Sequence, residues 1–251
     1  VFSSLSPGLV SHMLGSSACT LFNERLAECY FLKSRDESLG IRAFHPLFAA
    51  YLRGLFAALD PVDKSQVHAR AAEYFRGQGH GDEAVHHLLA GGDHQGALEL
   101  FLPRAEELLA GNQLHDLQEL LEEFPEELRR SNTLLPYYEA ITTNLVQPTL
   151  SRRTLRELLE IFERRGDRAR VATIFSVLLA NYIFYQGNRE PVRELVAMVE
   201  SFLGAQGTGL PEDQRATLLA LVSLGRWWTE PTAGDPFEIA VNHLEMCEHI
   251  V

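Results

Sequence analysis

From about residue 60 onward the chain repeats one device: a stretch with apolar side chains at helical spacing, then a glycine paired with an Asp or Asn. The pairs are Gly81-Asp82, Gly92-Asp93, Gly111-Asn112, Gly166-Asp167 and Gly187-Asn188. Glycine tolerates the left-handed backbone that closes one helix, and Asp or Asn accepts the free amides that open the next. So short a joint makes consecutive helices antiparallel neighbours. The spacing predicts helices over 63–78, 82–89, 95–109, 113–124, 134–145, 151–165, 168–185, 190–203, 212–228 and 236–251. Stacked hairpins of this kind make an α-solenoid. The unit is irregular, about 35 residues over 151–185 and about 39 over 190–228 against 34 in a tetratricopeptide repeat, and the full tetratricopeptide pattern is not met. The expected fold is mostly α, with a tetratricopeptide-like stack of antiparallel helix pairs.

The first 59 residues read differently. "SPGLVSHML" and "LFNERLAEC" are short helices, with Thr20 placed to cap the second. "YFLKS" and "IRAF" are β-prone and flank the polar segment "RDESLG", a hairpin pattern. The second strand runs into His45-Pro46, where proline suits the first helical position because that N–H has no intrahelical partner. Leu47, Phe48, Tyr51, Leu52, Leu55 and Phe56 then recur at helical spacing, so a buried helix is expected. Two helices, a hairpin and a closing helix are the element order of a winged helix. The expected domains are a winged helix over 1–59, a helical arm over 60–130 and a truncated superhelix over 131–251.

Little chemistry is encoded. The phosphate-cradling pattern G-x-x-x-x-G-K-[ST] cannot be built, since no Gly-Lys dipeptide occurs. "GQGHG" (Gly77, Gly79, Gly81) follows a helix rather than a strand, so it reads as an inter-helix turn. His86, His87 and His94 lie near Asp82 and Asp93 in sequence, and His243 and Cys247 share a helix face, but no metal-binding spacing is complete. No nucleophile–base or carboxylate pair stands out. The expectation is a protein without catalytic residues, metal or cofactor.

A net charge of −12 works against non-specific binding to DNA or anionic lipid. Residues 1–59 carry five basic and four acidic side chains, and the helix in the DNA-reading position offers one arginine, Arg25, against Glu24 and Glu28. Glutamates repel phosphates, so direct nucleic-acid binding is not expected. No apolar run approaches the roughly 20 residues that cross a membrane, and three cysteines without metal spacing fit reduced thiols, so the expected setting is the cytoplasm. The opening residues lack a basic leader, and the last helical pattern has no closing signal. A piece of a longer chain is expected.

Two segments concentrate residues that join an apolar surface to a polar handle, the type that carries recognition. "NYIFYQGNR" holds Tyr182, Tyr185 and Arg189, and "GRWWTE" holds Arg226, Trp227 and Trp228. Tyr182 and Tyr185, three apart, are expected to share a helix face. Adjacent Trp227 and Trp228 cannot, so one is expected in the core and the other in a groove. A protein partner or small-molecule signal is expected there, on the concave side of the stack.

"YFLKSRDESLGIRAFHPLFAAYLRGLF" followed by "VHARAAEYFRGQGHGDEAVHHLLAGGDHQGALELF" resembles the large LuxR-type regulators of the STAND class, of the maltose-regulon-activator kind. In that family a strand, a wing and a "[FY]HPLF" helix precede "H-x-R-A-A-x-[WYF]" and "[DE]-A-[IV]-x-H-A-[LIV]-x-A-G-D". This chain supplies His45, Pro46, Leu47 and Phe48, then His68, Arg70, Ala71, Ala72 and Tyr74, then Glu83, Ala84, Val85, His87, Leu89, Gly92 and Asp93. Leu88 and Gly91 stand where the family often has alanine. The match covers roughly the first 125 residues. The resemblance implies a winged helix that packs on an ATPase core and governs its state, a helical arm, a superhelical sensor and a DNA-binding output domain. On that basis the chain is expected to be a regulatory fragment relaying ligand or partner binding to ATPase and DNA-binding domains it lacks. The alternative is a non-sensing helical scaffold for protein–protein interaction.

Overall fold

The computed structural model describes residues 4–15, 20, 24, 31–36, 41–186, 189–206 and 209–229, and these are mostly α-helical. Contacts divide the chain into two compact units, Val1–Asp116 with Glu122–Phe124, and Leu117–Leu121 with Pro125–Val251.

In the first unit, Ser6 caps α1 (Pro7–Leu14) by accepting from the Leu9 amide at 3.2 Å. Thr20 and Glu24 are helical, and the rest of the expected second helix lies outside the described residues. The strands β2 (Leu32–Asp36) and β3 (Ile41–Phe44) pair antiparallel, Leu32 opposite Phe44 and Ser34 opposite Arg42, with an irregularity between Ser34 and Asp36. A strand not foreseen, β1 (Ser4–Leu5), pairs with the other edge of β3 and makes the sheet order β1-β3-β2. Two residues carry no readable alternation, so only the pairing reveals β1.

After the sheet come α2 (Pro46–Ala57), α3 (Pro61–Gly77), α4 (Gly81–Ala90) and α5 (His94–Ala110). α3 packs on α1 and α4, and α4 on α5. Small residues allow the approach: Ala71, Ala72, Ala84, Ala97 and Ala105 are buried beside Val85, Phe101 and Leu108. Phe101 meets Phe124 edge-on at 4.9 Å. α6 (Leu114–Glu122) follows, stopping two residues short of its expected end.

The second unit holds α7 (Glu126–Ser131), α8 (Leu134–Thr142), α9 (Pro148–Arg165), α10 (Arg168–Asn181), a π-helical turn at Tyr182–Gln186, α11 (Arg189–Gln206) and α12 (Glu212–Thr229). Consecutive helices from α7 to α12 pack together, and α12 also reaches α10. Tyr137, Tyr138, Phe162 and Phe175 are its largest fully buried side chains.

Several expectations are corrected. α2 forms where its pattern predicts, but none of its residues is buried. An apolar stripe states what a face prefers and not that a neighbour covers it. α7 is an unexpected helix, although Pro125 before it, Glu126 and Glu127 in its first turn and Arg129 and Arg130 in its last are ordinary helix signals. The 168–185 helix is not one helix, since a π turn replaces α geometry after Asn181.

The joints differ in detail too. Gly166 is left-handed (φ 68°) and Asp167 caps α10, as does Asp93 after left-handed Gly92 for α5. Gly81-Asp82 instead begins α4, and the turn is made by left-handed Gly79. At the third joint Asn112, not Gly111, takes the positive φ. Gly187-Asn188 and the 236–251 helix lie outside the described residues. No helix among the described residues is long and apolar enough to cross a membrane.

Candidate recognition surfaces

The residues that carry the sequence motifs fall into two physical classes. Most of those on α3 and α4 are packing residues, while Arg70 and Glu83 are exposed. Ala71, Ala72, Ala84 and Val85 are buried, and the Tyr74 hydroxyl reaches Ser6 Oγ at 3.1 Å, holding α1 against α3. Gly8 leaves room for that ring, because a Cβ there would stand 2.9 Å from the Tyr74 hydroxyl. His68 and His87 meet with their Nδ1 atoms 3.0 Å apart. The His87 ring stacks on Phe75, and Phe56 lies edge-on to His68. Burial, followed by the charges of His68 and His86, pushes His87 down to about 4, while burial and His86 lower His68.

The motif residues on α2 build a surface. His45 Nδ1 accepts a long bond, 3.4 Å, from the Leu47 amide, and Pro46 takes the first helical position. The His45 amide donates to the Phe31 carbonyl at 2.7 Å. Phe48 stacks on Phe31 at 5.2 Å and meets Phe44 edge-on at 5.7 Å, so one side of α2 is fastened to the hairpin. The other side is bare among the described residues. Leu47, Tyr51 and Leu55, successive at four-residue spacing, are 77%, 61% and 51% exposed, and Leu59 and Val62 extend the exposed apolar residues. Scattered exposed apolar side chains are ordinary, whereas Leu47, Tyr51 and Leu55 recur at helical spacing along α2.

In the second unit the six expected recognition residues separate. Tyr182 is buried, with the guanidinium groups of Arg152 and Arg156 at 5.2 and 5.5 Å from its ring centroid. Tyr185 is 53% exposed, beside exposed Phe184. The two tyrosines do not share a face: the i→i+5 bonding of a π turn widens it, so three residues fall well short of one revolution. Neither tryptophan is fully buried, so the expected division into one core and one groove residue is not realised. Trp228 has Arg189 over its ring at 5.9 Å, and its buried indole N–H finds no acceptor among the described residues. Arg226 is engaged with Glu200 at 2.5 Å.

Beneath Tyr182 lies a polar network that no sequence motif announces. Arg152 is buried and donates to Asn181 Oδ1 at 2.5 Å and Thr149 Oγ1 at 3.1 Å. Asn181, fully buried, donates to Asn144 Oδ1, which also accepts from Ser151 Oγ. Nothing local marks these residues, because Arg152 and Asn181 stand on different helices. Clefts of about 540 to 590 Å³ among the described residues include one beside the Gly166 turn, one between α7, α8 and α9 that Ser151 also lines, and one between α4 and α5. No three His, Cys, Asp or Glu among the described residues form a metal-holding group.

No family model and no solved structure matches the chain.

Proposed function

We propose that this chain is a regulatory part of a STAND-class transcriptional regulator, a winged-helix module followed by tetratricopeptide-like helix pairs, which relays ligand or partner binding to ATPase and DNA-binding domains outside it. The observation that carries the reading is the bare ridge Leu47–Tyr51–Leu55, on the helix that begins with His45-Pro46-Leu47-Phe48. A helix fastened on one side by Phe48 and apolar on the other is built to pack against something else, and the resemblance assigns that role to the nucleotide-binding core. The β1-β3-β2 order, with a helix entered directly from β3, supports the winged-helix reading. The charge balance of residues 1–59 supports a role in packing rather than in reading DNA. Its partners in this reading are domains of the same polypeptide or other proteins, and a small-molecule inducer.

The test uses the full-length product. The reading expects a phosphate-binding loop encoded upstream, ATP binding by the whole protein, and altered nucleotide exchange and promoter activation on replacing Leu47 and Leu55 by Asp. A full-length protein with no such loop, or one whose nucleotide exchange ignores the ridge, points to the helical scaffold instead.

A further inference from the structure

The cleft between α7, α8 and α9 has its own logic, independent of the regulator reading. It measures about 590 Å³, the volume of a small-molecule site, and its lining is mostly polar or charged. Arg129, Arg130 and Arg153 stand around it against Glu126 and Glu139, in a chain whose net charge is −12. The first two arginines are already paired, Arg129 with Glu139 at 3.2 Å and Arg130 with Glu126. Arg153 is exposed and has no ionic or hydrogen-bonding partner among the described residues. Positive charge is therefore left over in this cleft.

An exposed arginine alone is ordinary, and the charge around this one sets it apart. Gln147, the N-cap of α9, and Leu150 and Ser151 of its first turn line the cleft. No side chain caps that partly positive end, and its first turn holds no acid, where helices favour one. Instead Arg152, Arg153 and Arg156 fall within the first nine residues of α9, ahead of any carboxylate. Arg156 is offset by Glu194 at 3.8 Å. Arg152 is buried on the neutral oxygens of Asn181 and Thr149. It does not line the cleft, but a buried charge is little screened and is felt beyond its contacts. The carbonyl end of α8 borders the cleft too, and it is already satisfied. The Glu139 carbonyl accepts from the Thr143 amide and the Thr142 and Thr143 hydroxyls, and the Ala140 carbonyl accepts from Ser151 Oγ at 2.7 Å. What remains unanswered is the charge of Arg152 and of Arg153, with about half a unit more at the helix end.

That magnitude decides the guest. A carboxylate brings one negative charge, whereas a phosphate monoester brings about 1.5 to 2 at neutral pH, on oxygens that suit a guanidinium fork and free helical amides alike. Gln147 and Thr154, whose side chains have no partner among the described residues, offer an amide and a hydroxyl to a polar body beside it. We infer that this cleft binds a small phosphate monoester of a polyol, its phosphate at Arg153 and the start of α9, its hydroxyls on Gln147 and Thr154. The experiment is calorimetry of the whole chain with glucose 6-phosphate, glucose, gluconate and inorganic phosphate. Glucose 6-phosphate is expected to bind saturably, and each of the others at least about tenfold more weakly, the usual scale for losing a charge-assisted contact. Arg153→Ala should weaken glucose 6-phosphate by a similar factor and leave the unfolding midpoint unchanged, because the side chain is exposed and holds nothing else. The inference is overturned if glucose 6-phosphate does not bind saturably, if glucose or gluconate binds as well, or if Arg153→Ala binds it undiminished. Inorganic phosphate binding as tightly as the ester overturns the assignment of the polyol. The four compounds are compared on the unaltered chain, so they decide the matter even where the variant fails to fold.

Discussion

The Nδ1 atoms of His68 on α3 and His87 on α4 face each other across 3.0 Å in a buried site closed by Phe56 and Phe75. In the neutral pair one nitrogen donates and the other accepts, and a second proton has nowhere favourable to go. Above about pH 6.5 both the folded and unfolded chains keep His87 neutral. Between 6.5 and about 4 the unfolded chain takes up a proton that the folded chain refuses, so stability falls as pH falls and levels off below. The expected loss is on the order of 3 kcal/mol, read from urea denaturation at pH 7 and pH 4.5. A His68→Leu/His87→Leu variant should lose most of that slope. An unchanged slope would remove the pair from the account.

Arg152 and Asn181 make the second test, because a buried cation held by neutral oxygens depends on every one of them. Asn181→Leu should cost about 3–5 kcal/mol, since it leaves the guanidinium buried and short of acceptors. Arg152→Met with Asn181→Leu should recover much of that loss, as apolar replacement of a whole buried polar set is often near neutral. Chemical denaturation of the two single variants and the double closes the cycle.

Two helical glycines should respond with opposite signs to alanine. A Cβ at Gly204 meets open space, so Gly204→Ala should stabilise by up to about 1 kcal/mol through helix propensity. A Cβ at Gly225 would lie 2.7 Å from Val196 Cγ2 and 3.3 Å from Val192 Cγ1, short side chains that cannot swing away. Gly225→Ala should therefore destabilise by about 1–3 kcal/mol despite better propensity. Thermal unfolding compares the two directly.

The bare ridge should be thermodynamically silent in the isolated chain. Leu47→Ser and Leu55→Ser should change unfolding free energy by no more than about 0.5 kcal/mol. Phe101→Ala, at a fully buried position, should cost about 3–5 kcal/mol. A large loss from Leu47→Ser would mean that the ridge is covered within this chain and is not a surface for anything else.

Whatever neighbouring residues settle among themselves is legible in the sequence. Asp167 and Asp93 cap because an Asx side chain reaches an amide three residues on, and Gly166 turns left because it has no Cβ. Most helices from α3 to α12 are readable for that reason, as is the hairpin leading into His45-Pro46. α7 is the exception: its charges signal a helix, but six residues hold less than two turns of pattern. Which faces meet is a matter for the folded chain. Leu47, Tyr51 and Leu55 have the same spacing as a buried stripe, and they are bare because no described residue covers that side of α2. Arg152 reaches Asn181 across 29 positions, and Asn181 reaches Asn144 across 37, contacts that no local pattern encodes. Glu163, Gly166 and Arg168 are close in sequence, yet the cleft they line exists because Met198 and Phe202 of α11 form its other wall. Propensity and capping act over one turn of chain, whereas burial and charge pairing act through space, where sequence distance has no bearing.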